Sequence, residues 1–251
     1  MKKAGISPIT KPFCKGTVID DRTFKRSLKV LLMTVVFGIV FLLIGQVFVG
    51  LGIIGKTLNV LSLIAVAIYY YNDGLGAGVD DVAFGEIVFA QEERGSSIDR
   101  RNRAYHPGKG WMAVFFGLIP LLLLTDIFAL TTQKQTYTLG VLPDWLEGYV
   151  YDTDIRLALS YYHQVPKAHF SDALRVPVRI LLMPYLPFFN INDPSQMLIL
   201  ERLSPLVISV IPTVYSFGYM QGPKVRAKVH AGIKEGVLKK KRKARKESKR
   251  R

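Results

Sequence analysis

Between Tyr69 and Glu86 the chain reads YYYNDGLGAGVDDVAFGE, which sets Gly74, Gly76 and Gly78 at alternate positions among the carboxylates Asp73, Asp80, Asp81 and Glu86. A glycine run can cradle a phosphate, and clustered carboxylates can hold a hard cation through their oxygens. The phosphate reading lacks its partners. A dinucleotide fingerprint needs its third glycine three positions after the second, and a phosphate loop closes with Gly-Lys-Ser/Thr. Neither pattern is present. Asp80, Asp81 and Glu86 are weak metal-ligand candidates, and pairing with Arg94, Arg100, Arg101 and Arg103 of the same loop is the favoured alternative. Asn72 and the glycines are expected to end a helix here, since both residue types adopt the left-handed caps that stop helices.

The segment DGLGA resembles the opening of the CDP-alcohol phosphotransferase motif. However, Gly78, Ile87 and Gln91 stand where that motif carries Arg, Gly and Asp, so no activity is carried over. His163 and His169 lie six apart with no carboxylate at ligand spacing, which argues against zinc. Cys14 is the single cysteine and cannot form an internal disulfide. No Ser/His/Asp order, H-E-x-x-H or Cys-His pairing can be assembled. No catalytic residues and no cofactor are therefore expected.

The elements that must position these residues are membrane helices. A chain that is 49% apolar yet carries a net charge of +15 has segregated its oil from its charge. Spans are expected at about 28–54, 57–71, 111–130 and 203–220. The Pro-rich stretch 174–190, with Arg175 and Arg179, has too short an apolar run for an ordinary crossing. The fold class is thus an all-α integral membrane protein of four transmembrane helices plus one re-entrant or interfacial segment. A basic N-terminal segment (1–27) and a basic tail (223–251) flank the membrane domain (28–222), whose outer loop covers 131–173. The positive-inside rule leads to the expectation that both termini are cytoplasmic, and the protein is expected in the plasma (inner) membrane.

Gly38, Gly45 and Gly52 recur every seven residues, a small-residue stripe suited to helix packing, with Gln46 beside it as an interhelical donor. Asp126 is the one acidic residue deep within an expected span. The tail is the densest feature. Lys239, Lys240, Lys241, Arg242, Lys243, Arg245, Lys246, Lys249, Arg250 and Arg251 stand against Glu247 alone, a run expected not to fold by itself but to bind anionic surfaces. Its expected partners are a bilayer with an anionic cytoplasmic leaflet, a protein partner or second copy of the chain, and a ribosome or nucleic acid. The expected function is a non-catalytic subunit or accessory of a membrane transport or protein-insertion assembly. A small stand-alone transporter or channel is the alternative, and a membrane enzyme acting on lipid headgroups is a weaker one.

Overall fold

The computed structural model describes residues 9–95, 101–134, 141–162, 170–190 and 193–248. The described residues form helices and connecting turns, with no strand among them. In chain order these are α1 (Asp21–Gly50), α2 (Gly52–Glu92), α3 (Gly108–Thr131), α4 (Arg156–Leu159), α5 (Phe170–Leu182), α6 (Pro194–Arg202), α7 (Ser204–Met220) and α8 (Gly222–Ser248). Three of them, α1 to α3, are long and apolar enough to cross a membrane. A fourth crossing results if α6 and α7, bent by 55° at Leu203, count as one broken span. The packing divides into two compact units, one of residues 1–37, 57–121 and 208–251 and another of 38–56 and 122–207.

α1 starts where its residues dictate. The Asp20 carboxylate accepts from the Thr23 amide at 2.8 Å while the Thr23 hydroxyl faces the Asp20 amide at 3.3 Å, a reciprocal cap on the first free N–H groups. The break between α1 and α2 falls at Leu51–Gly52, ahead of the gap at 55–56 left between the expected spans. Gly52 has φ +57°, a left-handed conformation costly for any residue with a Cβ. Gly55 then folds back against Phe48, where a Cβ would lie 1.7 Å from the Phe48 carbonyl oxygen.

The expectation that Asn72–Gly78 ends a helix is overturned. α2 runs through the glycines without interruption to Glu92, so the span expected to stop at Tyr71 is the first half of a 41-residue helix. At about 1.5 Å per residue that is about 61 Å, roughly twice a hydrocarbon core. The physical reason is helix contact. A Cβ at Gly74 would sit 2.1 Å from the Tyr215 carbonyl oxygen and one at Gly78 2.3 Å from that of Tyr219. In return, one at Gly218 would meet the Tyr71 oxygen at 2.0 Å, and Gly222 abuts Gly78. Two small-x3-small pairs, Gly74/Gly78 and Gly218/Gly222, thus bring α2 against the end of α7 at backbone distance. Glycine's helix penalty of roughly 0.5–1 kcal/mol per residue is offset by that packing.

The 174–190 stretch forms α5, which carries Pro177, and a 3-10 turn at Met183–Phe188. Thirteen residues reach only about 20 Å, short of a crossing. α5 buries Ser171, Arg175, Val178, Leu181 and Leu182, one face of an amphipathic helix. The basic tail also departs from expectation. α8 opens at Gly222 and Pro223, as a proline suited to a first turn implies, and it runs on to Ser248 through the first ten residues of the run 239–251, expected not to fold by itself.

Candidate functional site

The carboxylates of the opening stretch go to three places, all within the first unit. Asp81 is fully buried. It receives both arms of the Arg26 guanidinium at 2.6 and 2.8 Å, Arg22 at 3.4 Å and the Tyr219 hydroxyl at 2.7 Å. A two-pronged arginine contact with added donors is what makes a carboxylate tolerable out of water. Arg26 also lies over the Tyr219 ring at 5.6 Å, and that ring stacks on Tyr105 at 5.3 Å. Burial pushes the Tyr105 hydroxyl above its ordinary pKa, so it stays neutral.

Glu86, one and a half turns on, faces α8. It accepts from Arg226 at 3.0 and 3.2 Å and pairs with His230 Nε2 at 2.7 Å. The expected pairing within the loop is corrected here: Asp81 and Glu86 take partners from α1, α7 and α8, while Arg101 reaches Glu92 at 3.8 Å. A cation bound by Asp81 or Glu86 would have to displace these guanidinium groups. No group of three or more His, Cys, Asp or Glu among the described residues is arranged for a metal.

The remaining carboxylates line an open cleft of about 310 Å³ with Arg26, Lys29, Asn72 and Tyr215. Lys29 donates to Asp73. Asp80 is exposed and has no hydrogen bond or ion pair among the described residues. Tyr215 is 1% exposed, and its hydroxyl has no hydrogen-bond partner.

The strap before α1 ties this unit together. The Cys14 amide donates to the Gly85 carbonyl at 3.2 Å and the Gly16 amide to that of Tyr105 at 3.1 Å. A Cβ at Gly16 would lie 2.2 Å from the Ala104 oxygen. Burial, then the hydrogen bond to Glu92 at 3.1 Å, pushes the Cys14 thiol above its ordinary pKa and makes it a poor nucleophile. Lys109, 1% exposed, donates to Asp20 at 2.8 Å and to the Asn102 carbonyl at 2.6 Å. Burial alone would raise the Asp20 carboxyl, but the bonds from Lys109 and Thr23 hold it below its ordinary pKa.

The second unit holds a buried charge knot that the sequence reading missed. Glu201, 2% exposed, takes Arg175 Nε at 3.2 Å and Arg179 Nε and Nη2 at 3.0 and 2.8 Å on one oxygen. Its other oxygen accepts from the Thr132 hydroxyl at 2.7 Å. Arg175 further reaches Asp172 at 2.5 Å and the Gln133 carbonyl at 3.1 Å. The signal was present in the spacing: Arg175 and Arg179 lie four apart, on one helix face, and demand a carboxylate.

Of the glycine stripe, Gly38 makes the helix contact, its Cβ position 3.1 Å from the Ile180 carbonyl oxygen. Nothing lies within 4 Å at Gly45, and Gly52 serves the turn instead. Asp126 is exposed on α3 and takes no part in the charge knot. The side chains of Gln46 and of Lys239 to Arg251, together with Arg100, His163 and His169, lie outside the described residues. Comparison with protein-family models, curated proteins and solved structures finds no match for this chain.

Proposed function

We propose that this protein is a non-catalytic subunit or accessory of a membrane transport or protein-insertion assembly, with both termini on the cytoplasmic side of the plasma membrane. In this reading the part of α2 beyond the bilayer forms a base that holds α8 as a basic arm for an anionic partner. One observation carries it: α8 is a continuous helix clasped to α2 through Glu86, Arg226 and His230. Its 27 residues include eleven Lys or Arg against Glu235 and Glu247. A clasped arm holds that charge in a defined direction, and charge so presented binds lipid phosphates or a ribosome without reading sequence. The most apolar stretch of α2 is only 11% buried within the chain, which leaves it open to lipid or to a partner helix.

The test uses the full chain purified in mild detergent and a deletion of Lys239 to Arg251. Wild-type protein should sediment with ribosomes or anionic vesicles, and its binding should fall steeply with salt. The deletion should lose most of that binding, while a scramble of the same residues should keep it. A stoichiometric membrane partner supports the subunit reading. A lone particle whose tail deletion changes nothing sinks it in favour of a stand-alone transporter or channel.

A further inference from the structure

The cleft in the first unit has three properties that together describe a ligand. Its charge is balanced, with Arg26 and Lys29 set against Asp73 and Asp80. A simple anion would meet the two carboxylates, and a metal ion would meet the two cations. It also has unused hydrogen-bonding capacity. Asp80 is an exposed acceptor and Tyr215, which lines the cleft, carries a buried hydroxyl, neither with a hydrogen-bond partner among the described residues, while Lys29 spends on Asp73 one of three donors. A buried hydroxyl left unpaired costs free energy that a bound group would recover. Finally, the cleft sits where apolar runs end. No charge follows Lys29 until Lys56, none lies between Lys56 and Asp73, and Tyr69 to Tyr71 come one turn before it. Charge next to an aromatic belt is the level of lipid headgroups.

We propose that this cleft binds a zwitterionic aminophosphate lipid headgroup, its phosphate held by Arg26 and Lys29 and its primary ammonium by Asp80. The phosphate takes donors that the internal pairs leave over, and the ammonium supplies the donor that Asp80 lacks. Tyr215 donates to a phosphate oxygen. The acyl chains follow the exposed apolar surface of Leu32, Val36 and Ile68 on the same two helices. This site is separate from the docking role of α8, and a failed tail deletion does not touch it.

The test uses the full chain, stripped of lipid in detergent, as wild type, Asp80→Asn and Tyr215→Phe. Each is titrated with phosphatidylethanolamine, phosphatidylcholine and phosphatidylglycerol of equal chain length, and separately with glycerophosphoethanolamine and inorganic phosphate. The readouts are the thermal unfolding midpoint and the lipid retained per protein after washing. For wild type, phosphatidylethanolamine should raise the midpoint most and be retained most. Asp80→Asn should lower that retention about tenfold, the loss of one charge-assisted hydrogen bond, and bring it level with phosphatidylcholine. Its lipid-free midpoint should stay at the wild-type value because Asp80 holds nothing in the fold. Tyr215→Phe should match or exceed the wild-type lipid-free midpoint, since it removes the unpaired hydroxyl, while losing part of the retention. Equal retention of the three lipids, or a preference that survives Asp80→Asn, overturns the inference. An equal shift from glycerophosphoethanolamine or inorganic phosphate overturns the lipid assignment in favour of a free ligand.

Discussion

Lys109 shows how one residue can serve the fold at some cost. An ammonium 1% exposed is tolerable because Asp20 and the Asn102 carbonyl replace its water, and Asp20 also caps α1. Lys109→Ala should therefore destabilise the protein by about 3–5 kcal/mol, since a buried carboxylate is left without its cation. Thermal or denaturant unfolding in detergent measures this, and a loss near zero would show that water replaces the lysine. The same pair fixes a pH dependence. The folded pKa of Asp20 lies below its ordinary value of 3.8, so its contribution is complete above that value and fades as pH falls through the lower one. Asp20→Asn should be less stable at neutral pH and lose less than wild type as the pH falls below the ordinary Asp20 value of 3.8. Parallel acid profiles for the two proteins would assign the acid loss to other carboxylates.

At the level of elements, the glycines of α2 divide by face. Gly74 and Gly78 meet the backbone of α7, while a Cβ at Gly76 would meet nothing within 4 Å. Gly76→Ala should leave stability unchanged or raise it by about 0.5–1 kcal/mol, the ordinary gain of alanine over glycine in a helix. Gly78→Ala must push apart backbones 2.3 Å from the new carbon and should cost about 1–3 kcal/mol. Unfolding midpoints of the two variants, side by side, decide it. If both are neutral, the close approach of α2 and α7 is not what lets the helix run through its glycines. The Gly74-x3-Gly78 and Gly218-x3-Gly222 spacings were open to inspection in the sequence, but alternate glycines beside Asn72 also fit a helix stop. Only a facing helix with matching glycines separates the two readings.

For the whole molecule, the charge parity of the loops predicts that residues 1–27 and the end of α8 share the cytoplasmic side. Single cysteines at Ser7 and Ser248, in a Cys14→Ser background, should be reached by an impermeant thiol reagent only after the membrane is opened. Labelling of either site in intact cells would overturn the four-span reading. Hydropathy pointed to an all-helical chain of four crossings, and the described residues are helical with three helices able to cross a membrane, or four if α6 and α7 count as one, because an apolar run of about 20 residues is a local property. The places where helices stop were less legible. α2 passes its expected end by 21 residues because the contacts that sustain it lie on α1, α7 and α8, far away in sequence. The same holds for the charges. The sequence marked Asp80, Asp81 and Glu86 as carboxylates in need of partners but gave no partner to Arg175 and Arg179, although a charge near an apolar segment must be paired or solvated. Which partner each took was decided by tertiary structure: Arg26 and Tyr219 for Asp81, α8 for Glu86, Glu201 for both arginines, and for Asp80 none. Pairing energies depend on distances of a few ångströms between segments up to 144 residues apart, and one-dimensional spacing does not encode those distances.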